Sequence, residues 1–547
     1  MHSRIGMAHC LLWRSHRQNP RPVLVGLLAY GLLAGILYAS LLPLWEGFDE
    51  AFHYAYVQTL SNELKLPVLG KSIISDEVWE SLEKSPVSHI VERTHPSLMT
   101  LDDYFALDHA QRQRLRLELE NIDPALRSSY SNGVPNYEAH QAPLAYGLLA
   151  LPDRIWSSTP FPGRIWRLRV LAAIVSSCLM FWGTWRLGRM LEVARPVRAV
   201  ALFLVFSTQM YYATIAHIAN DWLAVPLATI FLSQALAFQQ NPTRSSGLVL
   251  GAAYAAGLLT KAYFLAFAPL IIWLFLRSWR ESRKAAPILA SIVSVLLIAG
   301  PWYLRNLTLY GNLTGMQEAT IGGLGPLDVI RSLHLYPWLP ALKQLAHASL
   351  WTGNNSFTTF SADTVNFQLL LLLGAAVLST IDTRGRGFSA NRVAILVAGL
   401  SFAVGLAYAA VQSYLYTEGF ATSVSPWYAQ PLLAPILLLL LSGRWTSTRV
   451  GRLLLSVMVL VWVYVSSATY VVKLLPWYGG YGDSQVRAVE LLRWYLQDFD
   501  RAWDILATLC PVDPLWLIVL CGGVCIIGWL VCFLLIMEIR RQPHNGA

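Results

Sequence analysis

The chain has 547 residues, 55% of them hydrophobic and only 13% charged, with 21 tryptophans and a net charge of +9. An ordinary soluble protein carries about 25% charged residues, so a soluble globular or disordered chain is excluded and a polytopic membrane protein is expected. The basic balance does not imply a nucleic-acid partner, because the charges are sorted by loop and not gathered in one patch.

Twelve apolar stretches approach the roughly 20 residues that a spanning helix needs: 22–45, 168–185, 199–216, 222–238, 247–260, 262–276, 285–301, 366–380, 393–411, 428–442, 453–471 and 515–537. With the N-terminal tail 1–21 in the cytoplasm, Arg14, Arg17, Arg189, Arg198, Arg280, Lys284, Arg386, Arg444 and Arg540 all fall on the cytoplasmic side, and the opposite loops are net acidic. This is the positive-inside pattern, and it places both termini in the cytoplasm. The apolar run from Ala142 to Trp156 would invert every later loop if it crossed. It is short and ends near Pro152 and Asp153, so it is expected to be a juxtamembrane or half-inserted helix on the outer face. The stretch 22–45 is too long for the apolar core of a signal peptide and lacks a small-residue cleavage site before Glu46, so it should remain as the first helix.

Cys10, Cys178, Cys510, Cys521, Cys525 and Cys532 imply no disulfide framework, and Cys521 with Cys525 read as packing residues of one helix. The cytoplasmic loops are short, whereas the outer segments 46–141, 302–365, 412–427 and 472–514 are long, which directs the search for chemistry to the outer face. Within the first of these, helices are expected around Ser75–Lys84 and from Thr100 through Glu120, with Thr100 as a start signal. No soluble domain, internal repeat or low-complexity tract stands out.

Ionisable residues cluster where the outer loops meet apolar helices. Asp49, Glu50 and His53 follow the first helix; if helical, Asp49 and His53 share a face at i and i+4, an arrangement suited to a carboxylate that takes a proton from a hydroxyl. The competing reading is that Asp49 caps a helix. Glu138 and His140 sit where the chain returns to the membrane, in Tyr137-Glu138-Ala139-His140-Gln141-Ala142-Pro143-Leu144, which also reads as an interfacial belt. Asp221 stands alone between two apolar helices, a costly place for a charge. Lys261 and Arg305 are cations on the side that is otherwise acidic; they are expected to clamp a lipid phosphate, with snorkelling, interface anchoring or pairing with Asp221 as the alternatives. A divalent cation, Mg or Mn, would suit oxygen ligands such as Asp49 and Asp221; no other cofactor is implied.

In this order, the D-E-x-x-H of the first outer loop, the re-entry motif, the Asp after the third apolar stretch, the Thr260-Lys261 turn and Pro301-Trp302-Tyr303-Leu304-Arg305-Asn306 resemble the GT-C superfamily of membrane glycosyltransferases. The likeness is to bacterial family-39-like proteins, related to the protein mannosyltransferases and the aminoarabinose transferase. It covers about residues 20–315. His140-Gln141-Ala142-Pro143-Leu144 lacks one proline of the family's H-P-P-L, and Trp427-Tyr428-Ala429-Gln430-Pro431 lacks the arginine of a late R-Y-x-x-P.

The resemblance implies an all-α, GT-C-like bundle of about twelve transmembrane helices, with juxtamembrane helices in the first outer loop. It also implies inverting transfer of a sugar from a polyprenyl-phosphate carrier to a glycan, lipid or protein acceptor. Asp49 is then the general base, with Glu50 and His53 in its motif, and Asp221, Lys261, Arg305, Glu138 and His140 bind substrate. The catalytic module would run over 22–315 and a variable region over 316–547, in a bacterial plasma membrane with a periplasmic active face. A multipass lipid or glycan transporter is the rival class, but such proteins show repeats and midplane-broken helices. A non-catalytic polysaccharide-assembly protein is the third reading.

Overall fold

The computed structural model describes residues 21–88, 91–92, 95–384, 389–422, 425–481 and 488–541. The tail 1–20, with Cys10, Arg14 and Arg17, and the loop residue Arg386 lie outside the described residues. The described chain is a polytopic helical membrane protein; its only extended pairing is two isolated bridges, Ile73 with Pro135 and Val87 with Thr100.

All twelve apolar stretches are helical, but they are not twelve full-length spans. Among the described residues, eight helices are long and apolar enough to cross a bilayer: Pro22–Leu41, Phe161–Met190, Asp221–Gln240, Ala262–Ser282, Ala362–Thr383, Ala390–Tyr416, Arg449–Tyr478 and Pro514–Arg541. The pair Ala286–Ile298 and Gly300–Tyr310, bent by 51°, makes a ninth if it is one span. The expected count of twelve is not confirmed, because three stretches remain. The first breaks into Arg195–Ser207 and Gln209–Ile215, and the others form Arg244–Leu258 and Pro426–Leu440. A 15-residue helix rises only about 22 Å against a hydrocarbon core of about 30 Å. Residues 199–216 are buried throughout, so their apolar character serves the protein core and not lipid.

The first helix packs between Phe161–Met190 and the final helix Pro514–Arg541. Gly26 lies against Val531 and Gly528 against Tyr30, so small residues let the two backbones approach. Tyr30 also shares a hydrogen bond of 2.7 Å with Ser466 of the Arg449–Ala468 helix. One hydrophobic core runs without a break from Val23 to Ile539, across the motif-based boundary at 315.

The apolar run after Pro143 folds as Leu144–Ile155, 12 residues long and too short to span. It buries Ala145, Tyr146, Leu149 and Asp153, while Leu148, Leu151 and Ile155 stay exposed, which is the two-faced pattern of a helix lying along an interface. In the first long loop, Ser75 caps Asp76–Glu83 as expected. The helix expected over Thr100–Glu120 is two: Thr100 and Asp103 form one capping box, and Asp108 with Gln111 forms a second that restarts the helix at His109. This loop is anchored by buried ion pairs, Arg164 with Glu77 at 2.6 Å and Arg127 with Asp153, whose other oxygen accepts from Tyr54 at 3.0 Å.

Candidate functional site

The helix Glu50–Glu63 begins directly after Asp49, which holds a left-handed backbone at φ 55°. Non-glycine residues rarely adopt that conformation. Its carbonyl accepts the His53 N–H at 3.1 Å, but its carboxylate makes no capping hydrogen bond, so capping does not account for the side chain. The carboxylate instead accepts from the Tyr137 hydroxyl at 2.7 Å. Asp49 is exposed within a recess of the protein. Burial by the surrounding walls raises its affinity for a proton, an effect that Asp221 reinforces and Tyr137 and Lys261 oppose.

Glu50 and His53, expected beside Asp49, and Glu138 have separate fates. Glu50 turns away into a buried ion pair with Arg169, whose Nε donates to Oε1 at 2.7 Å; the same oxygen accepts the backbone N–H of Ile218 at 2.9 Å. Arg169 also donates to the carbonyls of Leu42 and Pro43, so Glu50 ties the end of the first helix to the turn that precedes Asp221. His53 shares a hydrogen bond with Tyr146 at 2.8 Å and lies 3.7 Å from Glu138. Burial drives the His53 imidazole well below its usual pKa, which favours the neutral ring. Glu138 is pushed up to about 8, first by burial and then by the charge of Asp49, while the Gln141 amide, at 2.8 Å, opposes the shift. A second carboxylate in this cluster therefore also has a raised affinity for a proton.

Behind this cluster lies a cavity of about 250 Å³. His140, Gln141 and Lys261 form part of its wall, and Phe402, Leu406 and Ala409 are among its apolar lining. Burial pushes His140 down to about 4. Its Nδ1 faces the Tyr137 carbonyl at 2.9 Å, so the neutral ring carries its proton there and leaves Nε2 as an acceptor. Lys261 is 6% exposed and its ammonium donates to Asp221 at 2.5 Å. The same ammonium lies 4.8 Å from the Tyr428 ring centre and 5.6 Å from that of Tyr263. The other oxygen of Asp221 is buried, with Tyr263 nearby. The alternative weighed for this aspartate, pairing with a cation, is thus what the fold adopts.

Arg305 is not brought to the cavity. It donates to the Pro67 carbonyl at 2.8 Å and stacks over Trp302 at 4.9 Å, and it is Trp302 that faces the cavity. The expected convergence of Lys261 and Arg305 on one phosphate is corrected by this arrangement: Lys261 alone lies on the wall. The donor set of a divalent cation is likewise not assembled. Among the described residues no group of three His, Cys, Asp or Glu side chains is placed to hold a metal ion, and Asp221 is engaged by Lys261.

Several residues escaped the sequence reading. Arg169, an arginine in an apolar helix, was signal enough on cost grounds. Tyr137 and Gln141 flank residues that were singled out, and Gln141 joins Glu138 to the Asn220 amide at 2.9 Å. Tyr428 belongs to the late motif 427–431, which the sequence offered only as a remnant without its arginine.

No protein-family model matches the chain, and no curated protein does either. Among solved structures, the chain is similar to ArnT from Cupriavidus metallidurans bound to undecaprenyl phosphate, at 13% identity and a TM-score of 0.48, over 95% of this chain and 77% of that one. The apo state of the same protein aligns at 14% identity and a TM-score of 0.38, over 88% of this chain and 75% of that one.

Proposed function

We propose that this chain is a membrane glycosyltransferase that moves a sugar from a polyprenyl-phosphate carrier to a hydroxyl of a glycan, lipid or protein acceptor, at the periplasmic face of a bacterial plasma membrane. The observation that carries the reading is the meeting of two unlike environments. An apolar cavity with a buried ammonium in its wall suits a lipid chain ending in a phosphate, and a non-capping, proton-attracting carboxylate stands across the Tyr137–Gln141 segment from it.

In this scheme Asp49 accepts the proton of the acceptor hydroxyl as its oxygen bonds to the anomeric carbon. The bond from that carbon to the phosphate oxygen breaks, and its electron pair leaves with the phosphate. A single displacement inverts the anomeric centre. Lys261 stabilises the charge growing on the phosphate, and the low-dielectric wall strengthens that contact. The apolar lining excludes water, which would otherwise compete as acceptor. Glu50 and Arg169 act as positioning residues, since they join the segment bearing Asp49 to the turn bearing Asp221.

The test is transfer from undecaprenyl-phosphate sugars by the full chain in lipid nanodiscs. Asp49→Asn is expected to lower turnover by about 10² or more, the usual scale for a positioned base, with undecaprenyl phosphate affinity unchanged. Near wild-type transfer by a folded Asp49→Asn protein would overturn the assignment.

A further inference from the structure

The turn that carries Asp49 is held from the far half of the chain. Two residues of the turn, Trp45 at φ 63° and Asp49 at φ 55°, have left-handed backbones, and so does Phe357 at φ 52° in the segment 353–358. The two strained segments are laced together. The Asn355 backbone N–H donates to the Glu46 carbonyl at 3.2 Å, and its side-chain amide donates to the carbonyls of Gly47 at 3.0 Å and Trp45 at 3.4 Å. The Ser356 N–H donates to the Glu46 carboxylate at 2.6 Å. Glu46 is 2% exposed and Asn355 8%. On the other side the turn is pressed on His217, since a Cβ added to Gly47 would lie 2.6 Å from the His217 Cβ. Neither Glu46 nor Asn355 lines the cavity, and the hydrogen bond described for the Asp49 carboxylate comes from Tyr137.

Left-handed backbone at a non-glycine residue persists only where its surroundings over-determine it. The lacing supplies that determination at the residues on which the direction of Asp49 depends. Resting on the reading of Asp49 as base, we propose that Asn355 and Glu46 are positioning residues that fix the Asp49 carboxylate against Tyr137, so that segment 353–358 of the C-terminal half sets the geometry of the base. The role of Glu46 is as a hydrogen-bond acceptor. Its charge is not required, because an amide oxygen accepts the Ser356 N–H equally well.

The titratable groups facing Asp49 are Tyr137, Glu138, Tyr146, Asp221, Lys261 and Tyr428. A change in carboxylate direction alters its distance to them, and its titration reports the change without any need to know the sugar. The experiment follows the carboxyl band of Asp49 by infrared difference spectroscopy on the full chain in nanodiscs, with Asp49→Asn as the blank. Asn355→Asp removes both side-chain donors and Glu46→Ala removes the acceptor; each should move the titration midpoint by about one unit or more, the scale of one lost polar contact. Glu46→Gln, the conservative variant, should match wild type. Undecaprenyl phosphate affinity should stay within about twofold throughout, as the cavity wall is untouched.

Unmoved midpoints in folded Asn355→Asp and Glu46→Ala proteins would overturn the proposal, whatever their melting temperatures. So would a Glu46→Gln midpoint displaced as far as that of Glu46→Ala, because charge and not position would then be the cause. Should Asn355→Asp fail to fold, Asn355→Ser and Glu46→Ala decide. Full transfer by Asp49→Asn would remove the base assignment while leaving the brace to be judged by the titration alone.

Discussion

Replacing Lys261 by methionine probes both roles given to that residue. The side-chain length is nearly kept, but Asp221, 3% exposed, loses the ammonium that donates to one of its oxygens. Breaking a buried pair from one side costs about 3–5 kcal/mol, because a charge is left uncompensated. Lys261→Met should therefore melt well below wild type. The double change with Asp221→Asn removes that charge and should recover roughly half or more of the loss, since neutral isosteric replacements of buried pairs are often tolerated. Binding separates the second role. A charge-assisted contact to phosphate contributes about 1.5–3 kcal/mol, so both Lys261 variants should bind undecaprenyl phosphate roughly ten- to a hundredfold more weakly. Asp221→Asn alone, which frees the ammonium, should bind at least as tightly as wild type. Melting curves and titrations in nanodiscs give both quantities for the four proteins. Wild-type affinity in the folded double variant would refute the phosphate role, and an unchanged melting temperature in Lys261→Met would refute the pair.

Glu46 is pushed up to about 7, chiefly by burial. A carboxyl whose folded pKa is raised is stabilising below its unfolded value and loses that contribution as pH rises through the folded value. Wild type should thus lose stability between about pH 4.5 and 7 relative to Glu46→Gln, by roughly 3 kcal/mol in all; parallel melting curves across that window would contradict the burial argument. Arg305→Ala should leave undecaprenyl phosphate affinity within about twofold, because the guanidinium is held on Pro67 and Trp302 and does not line the cavity, and a tenfold loss would return it to the phosphate. Reporter fusions at Arg195 and Arg283 should read cytoplasmic, and an outside reading at Arg195 would show that Leu144–Ile155 crosses after all.

The bundle was legible because apolar length is a property of contiguous residues, and every apolar stretch proved helical. Span number was not, since an apolar run wrapped by protein, such as 199–216, has the same composition as one wrapped by lipid. The candidate site was legible as a set of costly charges, Asp49, Glu138, Asp221 and Lys261, with the Asp221–Lys261 pair in view only as an alternative. Glu50 and Arg305 looked like members of the set, and only tertiary contacts with Arg169 and Pro67 reveal their other engagements. Asn355 carried no signal at all: it stands inside Asn354-Asn355-Ser356, which reads as a glycosylation sequon. In the fold Asn354 is wholly buried, accepts from Tyr38 at 3.1 Å and donates to Tyr478 at 3.3 Å.

The contact between the first and last helices bears on how the molecule is made. A chain synthesised from its N-terminus inserts Arg21–Leu41 long before Pro514–Arg541 exists. Until then Gly26 has no Val531 to lie against. The helix can dock on Phe161–Met190 early, but its other face stays uncovered until Pro514–Arg541 arrives, a period in which an insertase or chaperone would find that face available. Loss of Pro514–Arg541 would therefore be felt far from it in sequence, as an apolar face of Arg21–Leu41 left without its cover.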